Sequence, residues 1–325
     1  MIASDTTRPS GSITARRDSR VGVIGLGHMG HAFAVNLVAD GYQVCVYDRD
    51  PKRAATVIGA TAGARLGDLA ACNVVLTSLP DDGALAEVAL GPEGLAAILK
   101  PGAVHISTST VSPGMSRRVA EEHARHGQGY IAAPVLGNPD FARARKLFVL
   151  AAGPPSAMLE ARPLLEGLGQ RLFVIGEDAA SANLVKLAAN VLTATTLECM
   201  GEVLALMRKG GVDGHLALDV LTNSLFDSRV HKSYGQKIVD GRYVPPGLTA
   251  PLAIKDLRLA LVRPNARPCR CPPRPSSTTA SSRWWPAVGR TSTGPPWGCL
   301  RPSMQALTTA APSTHRPKSA CGRQV

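Results

Sequence analysis

From Arg20 to about residue 178, short apolar runs rich in β-branched residues alternate with stretches of helical periodicity. "VGVIG" (21–25) reads as a buried strand, "HAFAVNLVAD" as a helix stopped by Gly41, and "QVCVYD" (43–48) as a second strand. "NVVLTSLP" (73–80), "AVHIST" (103–108), "GYIAAPVLG" (129–137), "LFVLAAG" (147–153) and "RLFVIG" (171–176) continue the series. Helical patterns at 114–126 and 155–168 fall between them. Strands alternating with helices of about 10–15 residues predict a parallel, doubly wound α/β sheet with right-handed crossovers. Near residue 178 the period changes. "AASANLVKLAANVLTATTLECMGEVLALMRKGG" reads as one helix of about thirty residues ended by Gly210–Gly211. More helical pattern follows at 213–224 and 252–261, and after Leu261 the periodicity stops. The expected organisation is a disordered arm (1–19), an α/β domain (20–178), an all-helical domain on a long interdomain helix (179–262), and a tail (263–325).

The first strand and helix enclose Gly25, Gly27 and Gly30 in a G-x-G-x-x-G loop. The first glycine permits the tight turn, the second lets backbone approach a pyrophosphate, and the third allows close helix–strand packing. The helix N-terminus adds amides and positive dipole. In the first βαβ unit this loop predicts a dinucleotide-binding, Rossmann-type domain, with Leu26, His28 and Met29 completing the loop. The end of the second strand carries mixed signals. Asp48 suits a ribose 2′-OH, as in NAD, whereas Arg49 and Arg53 suit a 2′-phosphate, and the balance favours NADP(H) over NAD(H).

"GLGHMG…NLVADGYQV", "SLPDD", "STSTVSP", "AAPVLG", "ANLVKLAAN" and "APLAIKDLRLAL" stand in an order and spacing that resemble the β-hydroxyacid dehydrogenase family. That family includes 3-hydroxyisobutyrate dehydrogenases and glyoxylate/succinic semialdehyde reductases, with imine reductases as relatives. The resemblance covers residues 20–261. It implies that Leu79 and Pro80 lie beside the dinucleotide and that Ser109 and Thr110 lie near nicotinamide and substrate. It further implies that Lys186 is the catalytic lysine, that Asn190 orients the substrate, and that Lys255 and Asp256 close the site from the helical domain. A homodimer formed through the helical domain is the implied assembly. Where the family usually has Ser-Gly-Gly after "APV", this chain has Leu136, Gly137 and Asn138. A substrate loop of Gly137 and Asn138 without that hydroxyl points to a substrate that is larger, less acidic or a different carbonyl compound than a small hydroxy acid.

The residues themselves single out Lys186. Lys186 and Asn190 are about 40° apart around one helix, and "SANLVKLAANVLTATTL" has one lysine among apolar and small residues. A lone lysine in a buried helix is costly unless paired or functional. Desolvation lowers its pKa, which suits proton exchange with a substrate oxygen. The predicted activity is an NAD(P)-dependent oxidoreductase on a hydroxyl/carbonyl pair of a small β-hydroxy acid or semialdehyde-like substrate. The alternatives are an imine reductase, which typically has Asp or Tyr in place of the lysine, and a non-catalytic module retaining the fold.

Charge and cysteine use change the picture only at the tail. The net +12 is concentrated there, since residues 263–325 hold nine Arg, one Lys and no acid. The first 262 residues hold 26 basic and 24 acidic side chains, so no nucleic-acid partner is expected. No 18-residue apolar run suggests a membrane span, and the polar first 19 residues lack the apolar core of a signal peptide. A cytoplasmic enzyme is expected. Cys45, Cys72 and Cys199 read as reduced core thiols, and His123 and His126 as residues of a surface helix with no metal cluster. Cys269-x-Cys271 lacks a second pair at zinc spacing. All three Trp lie in the tail. Back-translating the tail and starting each codon one nucleotide earlier permits amphipathic helices. The expectation is therefore a reading-frame slip near residue 262, with the tail standing in for missing C-terminal helices.

Overall fold

The computed structural model describes residues 19–244 and 250–261. The expected N-terminal arm up to residue 18, the tail, and the reading-frame slip lie outside the described residues.

The chain starts with β1 (Arg20–Ile24), α1 (His28–Ala39), β2 (Gln43–Tyr47), the single turn α2 (Pro51–Ala54) and β3 (Thr61–Ala62). It continues through β4 (Val74–Thr77), α3 (Asp82–Leu90), α4 (Leu95–Ile98), β5 (Val104–Ser107), α5 (Pro113–Arg125) and β6 (Gly129–Ala132). These strands form a parallel sheet in the order β3-β2-β1-β4-β5-β6. The order reverses between β1 and β4, which opens a crevice at the C-terminal ends of those strands. Helix starts follow side-chain chemistry. Asp81 accepts from the Ala84 amide at α3, and Ser112 accepts from the Met115 amide at α5, with Pro113 in the first turn.

The remaining part of the sheet departs from a purely parallel pattern. β7 (Val135–Leu136), α6 (Pro139–Arg143), β8 (Leu147–Ala152), α7 (Pro155–Gly167) and β9 (Gly169–Gly176) follow in the chain. β8 runs antiparallel to β6 and β7 on one edge and parallel to β9 on the other. The reversal occurs at Gly137, whose φ of +135° is open to glycine, and at the short α6. The single strand expected at 129–137 is interrupted at Ala133–Pro134, where proline has no amide to donate.

Both faces of the sheet are covered. Phe33 and Leu37 of α1 pack with Val21, Val23, Ile106 and Ile131 on one face. Leu69, Cys72, Leu95 and Leu99 pack on Ile24 and Val75 of the other. From Ala179 the chain is helical: α8 (Ala179–Lys209), α9 (Gly214–Thr222), α10 (Arg229–Val239) and α11 (Ala250–Leu261). The first turn of α8 buries Ala179 and Ala182 against Leu85, Val119 and Tyr130, and its last third packs Met200 and Leu204 on Ala217 and Leu218 of α9. α10 has no counterpart in the sequence reading. Cys199 is exposed on α8, not buried as expected, while Cys45 and Cys72 are buried.

Candidate functional site

The glycine loop shows why each glycine is there. Gly25 has φ +83°, and a Cβ on it would lie 2.4 Å from the Ser78 carbonyl oxygen. A Cβ on Gly30 would lie 1.9 Å from the Gly25 carbonyl oxygen. Gly27 differs, because a Cβ there meets nothing within 4 Å. The protein does not need that position bare for its own packing. No side chain caps the N-terminus of α1 behind it, so unsatisfied amides and the helix dipole face the crevice. This cradle fits the diphosphate of a dinucleotide.

Asp48 at the end of β2 is buried and already engaged. Its Oδ2 accepts from the Leu26 amide at 2.7 Å and its Oδ1 from the Asp50 amide at 2.9 Å. Arg53 stands 3.7 Å from the same carboxylate, and both Arg53 and Arg49 are exposed. His28 is exposed on the loop and Met29 is partly buried, packed against the core.

The two loops after β4 and β5 are tied together. The Leu79 amide donates to Ser109 Oγ at 2.8 Å, and the Thr108 amide and hydroxyl both donate to the Thr77 carbonyl. Pro80 is exposed beside them. Lys255 of α11 reaches across and donates to the Thr110 carbonyl at 2.6 Å. The Lys255 ammonium also lies 2.8 Å from Asp256 Oδ1, while Asn190 of α8 donates to Asp256 Oδ2 at 2.7 Å. Asp256 thus links α8 and α11 from a buried position.

Lys186, one turn before Asn190, shares this electrostatic environment. Burial of its ammonium lowers its pKa to about 8, Lys255 pushes the same way, and the Asp256 carboxylate opposes both. An amine near neutrality is suited to both giving and taking a proton. The structure therefore brings Lys186, Asn190, Lys255, Asp256 and Thr110 together at one place. Gly137 and Asn138 serve the chain itself. Asn138 accepts from the Phe141 amide as the cap of α6, and Gly137 faces Leu147 and Phe141.

Two features escape a reading by periodicity. Asn183 is buried one turn before Lys186, donates to Ser116 Oγ at 3.0 Å and accepts from the Val111 amide, seating α8 on α5. Its signal is a polar residue on the packed face of an otherwise apolar helix. His123, expected at the surface, is fully buried. It hydrogen-bonds with His105 at 2.8 Å and Gln128 at 2.6 Å, and His105 meets Thr77 Oγ1 at 2.9 Å. Among the described residues no group of three or more His, Cys, Asp or Glu side chains is arranged to hold a metal. No helix among them is long and apolar enough to cross a membrane.

Residues 20–176 match the NAD-binding domain of 6-phosphogluconate dehydrogenase, and residues 180–274 match the NAD-binding domain of NADP-dependent 3-hydroxyisobutyrate dehydrogenase. The chain is 37% identical over 247 residues to the uncharacterized oxidoreductase YfjR of Bacillus subtilis, covering 74% of this chain and 85% of that one. It is 29% identical to 2-(hydroxymethyl)glutarate dehydrogenase of Eubacterium barkeri, covering 74% of this chain and 81% of that one. The solved structure of Mycobacterium tuberculosis 3-hydroxyisobutyrate dehydrogenase with L-serine superposes with a TM-score of 0.69. That pair is 25% identical, with 75% of this chain and 85% of the other covered.

Proposed function

The chain belongs to the β-hydroxyacid dehydrogenase family as an NAD(P)-dependent dehydrogenase, and we propose that it interconverts the hydroxyl and carbonyl of a small β-hydroxy acid or semialdehyde-like substrate. When bound, the nicotinamide cofactor supplies or accepts the hydride. Residues 20–178 hold the dinucleotide, through Gly25, Leu26, Gly27, His28, Met29 and Gly30, with Leu79, Pro80 and Thr110 walling its nicotinamide end. Residues from 179 onward bring the acid/base. Lys186 Nζ delivers a proton to the carbonyl oxygen in reduction and takes it from the hydroxyl in oxidation. Asn190, held by Asp256, presents its amide to the same oxygen. Lys255, fixed on the Thr110 carbonyl, closes the site from α11, and Ser109 lines it. The observation that carries this reading is Lys186 itself. It has a lowered pKa, with Asp256 and Lys255 acting on it, and among the described residues no hydrogen bond or ion pair ties its ammonium down.

NADP(H) is the proposed cofactor. Both oxygens of Asp48 are taken by backbone amides, which leaves less for ribose hydroxyls, and the exposed Arg49 and Arg53 offer charge to a 2′-phosphate. A second copy of the chain is the proposed partner of the helical part. Leu192, Leu206, Leu216 and Val220 are all exposed there.

Substituting Lys186→Met tests the assignment on two axes. Turnover with a panel of carbonyl and hydroxy acids falls to background, while titration with NADP+ is unchanged. Thermal stability at pH 7 rises by about 1–3 kcal/mol, because the native state no longer buries an ammonium whose pKa has fallen from 10.5 to about 8. Near-normal turnover in that variant would overturn the role of Lys186.

A further inference from the structure

The sheet face opposite α1 holds a pair of thiols that the site above does not use. Cys45 lies in β2 and Cys72 just before β4, both buried in one apolar cluster with Leu69 and Val75. In the β1–β2 ladder Cys45 stands directly opposite Gly22, so the two positions face the same side of the sheet. A Cβ on Gly22 would meet Leu69 Cδ2 at 2.6 Å, Val75 Cγ2 at 3.1 Å and Cys72 Sγ at 3.4 Å. The missing side chain leaves the slot through which Cys72 reaches over β1 toward Cys45. The neighbouring Cys72 thiol lowers Cys45 to about 7, with Arg20 assisting and burial and Asp68 opposing. Two thiols side by side, one with a lowered pKa, are the pairing that can close to a disulfide through a sulfenic acid once a small peroxide reaches them. A pocket of about 260 Å³ lined by Ala71, Cys72, Asn73 and Lys100 opens on the Cys72 side.

We propose that Cys45 and Cys72 are a redox site, closed to a reversible disulfide by a peroxide, and that closing it loosens the dinucleotide loop. The Cys45 thiolate attacks one peroxide oxygen, the O–O bond breaks, and Cys45 becomes a sulfenic acid while the departing oxygen leaves as water. The Cys72 sulfur then attacks the sulfenic sulfur, the S–S bond forms, the S–O bond breaks, and the Cys72 proton leaves with that oxygen as a second water. Two thiols and one hydrogen peroxide give one disulfide and two waters. An S–S bond of about 2.0 Å is much shorter than the contact between two unbonded thiols, so closure must draw β2 and the chain before β4 together. Three residues beyond Cys45, Asp48 holds the Leu26 amide of the glycine loop, and that displacement reaches the diphosphate cradle. This second half rests on the dinucleotide-binding reading.

The test treats the full chain with one equivalent of hydrogen peroxide, alkylates it in urea and digests it without reduction. The expected product is a cross-linked peptide joining Cys45 to Cys72, two hydrogens lighter than the reduced pair. Dithiothreitol reverses it, and Cys72→Ala lacks it. The oxidised chain is expected to bind NADP+ several-fold more weakly than the reduced chain. Recovery of Cys45 and Cys72 as free thiols after the exposed Cys199 has been oxidised would overturn the site, as would their pairing with Cys269, Cys271, Cys299 or Cys321 instead. A disulfide that leaves the NADP+ titration unchanged would overturn the coupling. Titration of the reduced chain reports on dinucleotide binding by itself, so the two ideas fail separately.

Discussion

Acidification is expected to unfold this protein through the buried His105–His123 pair. The hydrogen-bond donors can be assigned along the chain of contacts. Gln128 Nε2 donates to the Ala96 and Leu99 carbonyls, so Gln128 Oε1 can only accept from His123 Nδ1. His123 Nε2 must then accept from His105 Nδ1, and His105 Nε2 from the Thr77 hydroxyl. Each ring is neutral, and a proton added to His123 Nε2 meets the His105 Nδ1–H, donor against donor, in a site buried from the water that would solvate the charge. Burial is the first cause of the depressed pKa of both rings. For His105 it falls well below 6.5, with His123 adding to the effect. For His123 it falls to about 4, with Gln128 and Glu122 opposing and His126 assisting. Because the folded pKa lies below the unfolded value, the unfolded chain binds more protons between about pH 6.5 and 4. Stability is therefore intact above 6.5 and lost as pH falls through that window. The full loss from His123 is about 3 kcal/mol, of which about 2 kcal/mol is reached by pH 5. Urea unfolding at pH 7.5, 6.5, 5.5 and 5 measures it, and a midpoint drop of roughly 1 M is expected by pH 5. His123→Leu should be weaker at pH 7.5, since it strands Gln128 Oε1 and His105 Nδ1–H at about 1–3 kcal/mol each. Its pH slope should be flatter by up to about 1.4 kcal/mol per unit. A wild-type midpoint that holds from pH 7 to 5, or a Leu variant with an unchanged slope, would refute the neutral pair.

The glycine loop separates fold from binding. Gly27→Ala, at φ −64° with open space around it, should melt like wild type yet bind NADP+ about 10–100-fold more weakly, a loss of about 1.4–2.8 kcal/mol. Gly30→Ala, with a Cβ 1.9 Å from the Gly25 oxygen, should lower the melting temperature as well, and equal behaviour of the two variants would count against the cradle. Replacing Arg49 and Arg53 together by Ala should weaken NADP+ and leave NAD+ unchanged in the same fluorescence titration. An equal loss for both nucleotides would show that neither arginine reads the 2′-phosphate.

What could be read from the sequence divides along physical lines. The β1–α1–β2 unit and the long α8 are strongly periodic and bounded by glycines, so both the elements and the Gly25–Gly30 loop were legible. The burial of Lys186 was legible for a related reason, since it is the one charge in an apolar helical stretch. Strand direction leaves no trace in an apolar run, so the antiparallel β8 could not be seen. α10 was hidden because its sequence, "RVHKSYGQKIV", is largely polar and its buried residue is Gly235, which reads as a breaker. In the fold that glycine is a contact surface, since a Cβ there would lie 2.4 Å from Leu218 Cδ1 and 2.9 Å from Met200 Cε. His123 was misplaced because a polar residue in an amphipathic helix reads as solvent-facing. Its partner on β5 is 18 residues away and belongs to a different period. Asp48 is the instructive case for the site. Its position after β2 marks it as a ribose ligand, yet its carboxylate holds the Leu26 and Asp50 amides. The acid therefore shapes the glycine loop from within, a role that its place in the sequence does not announce.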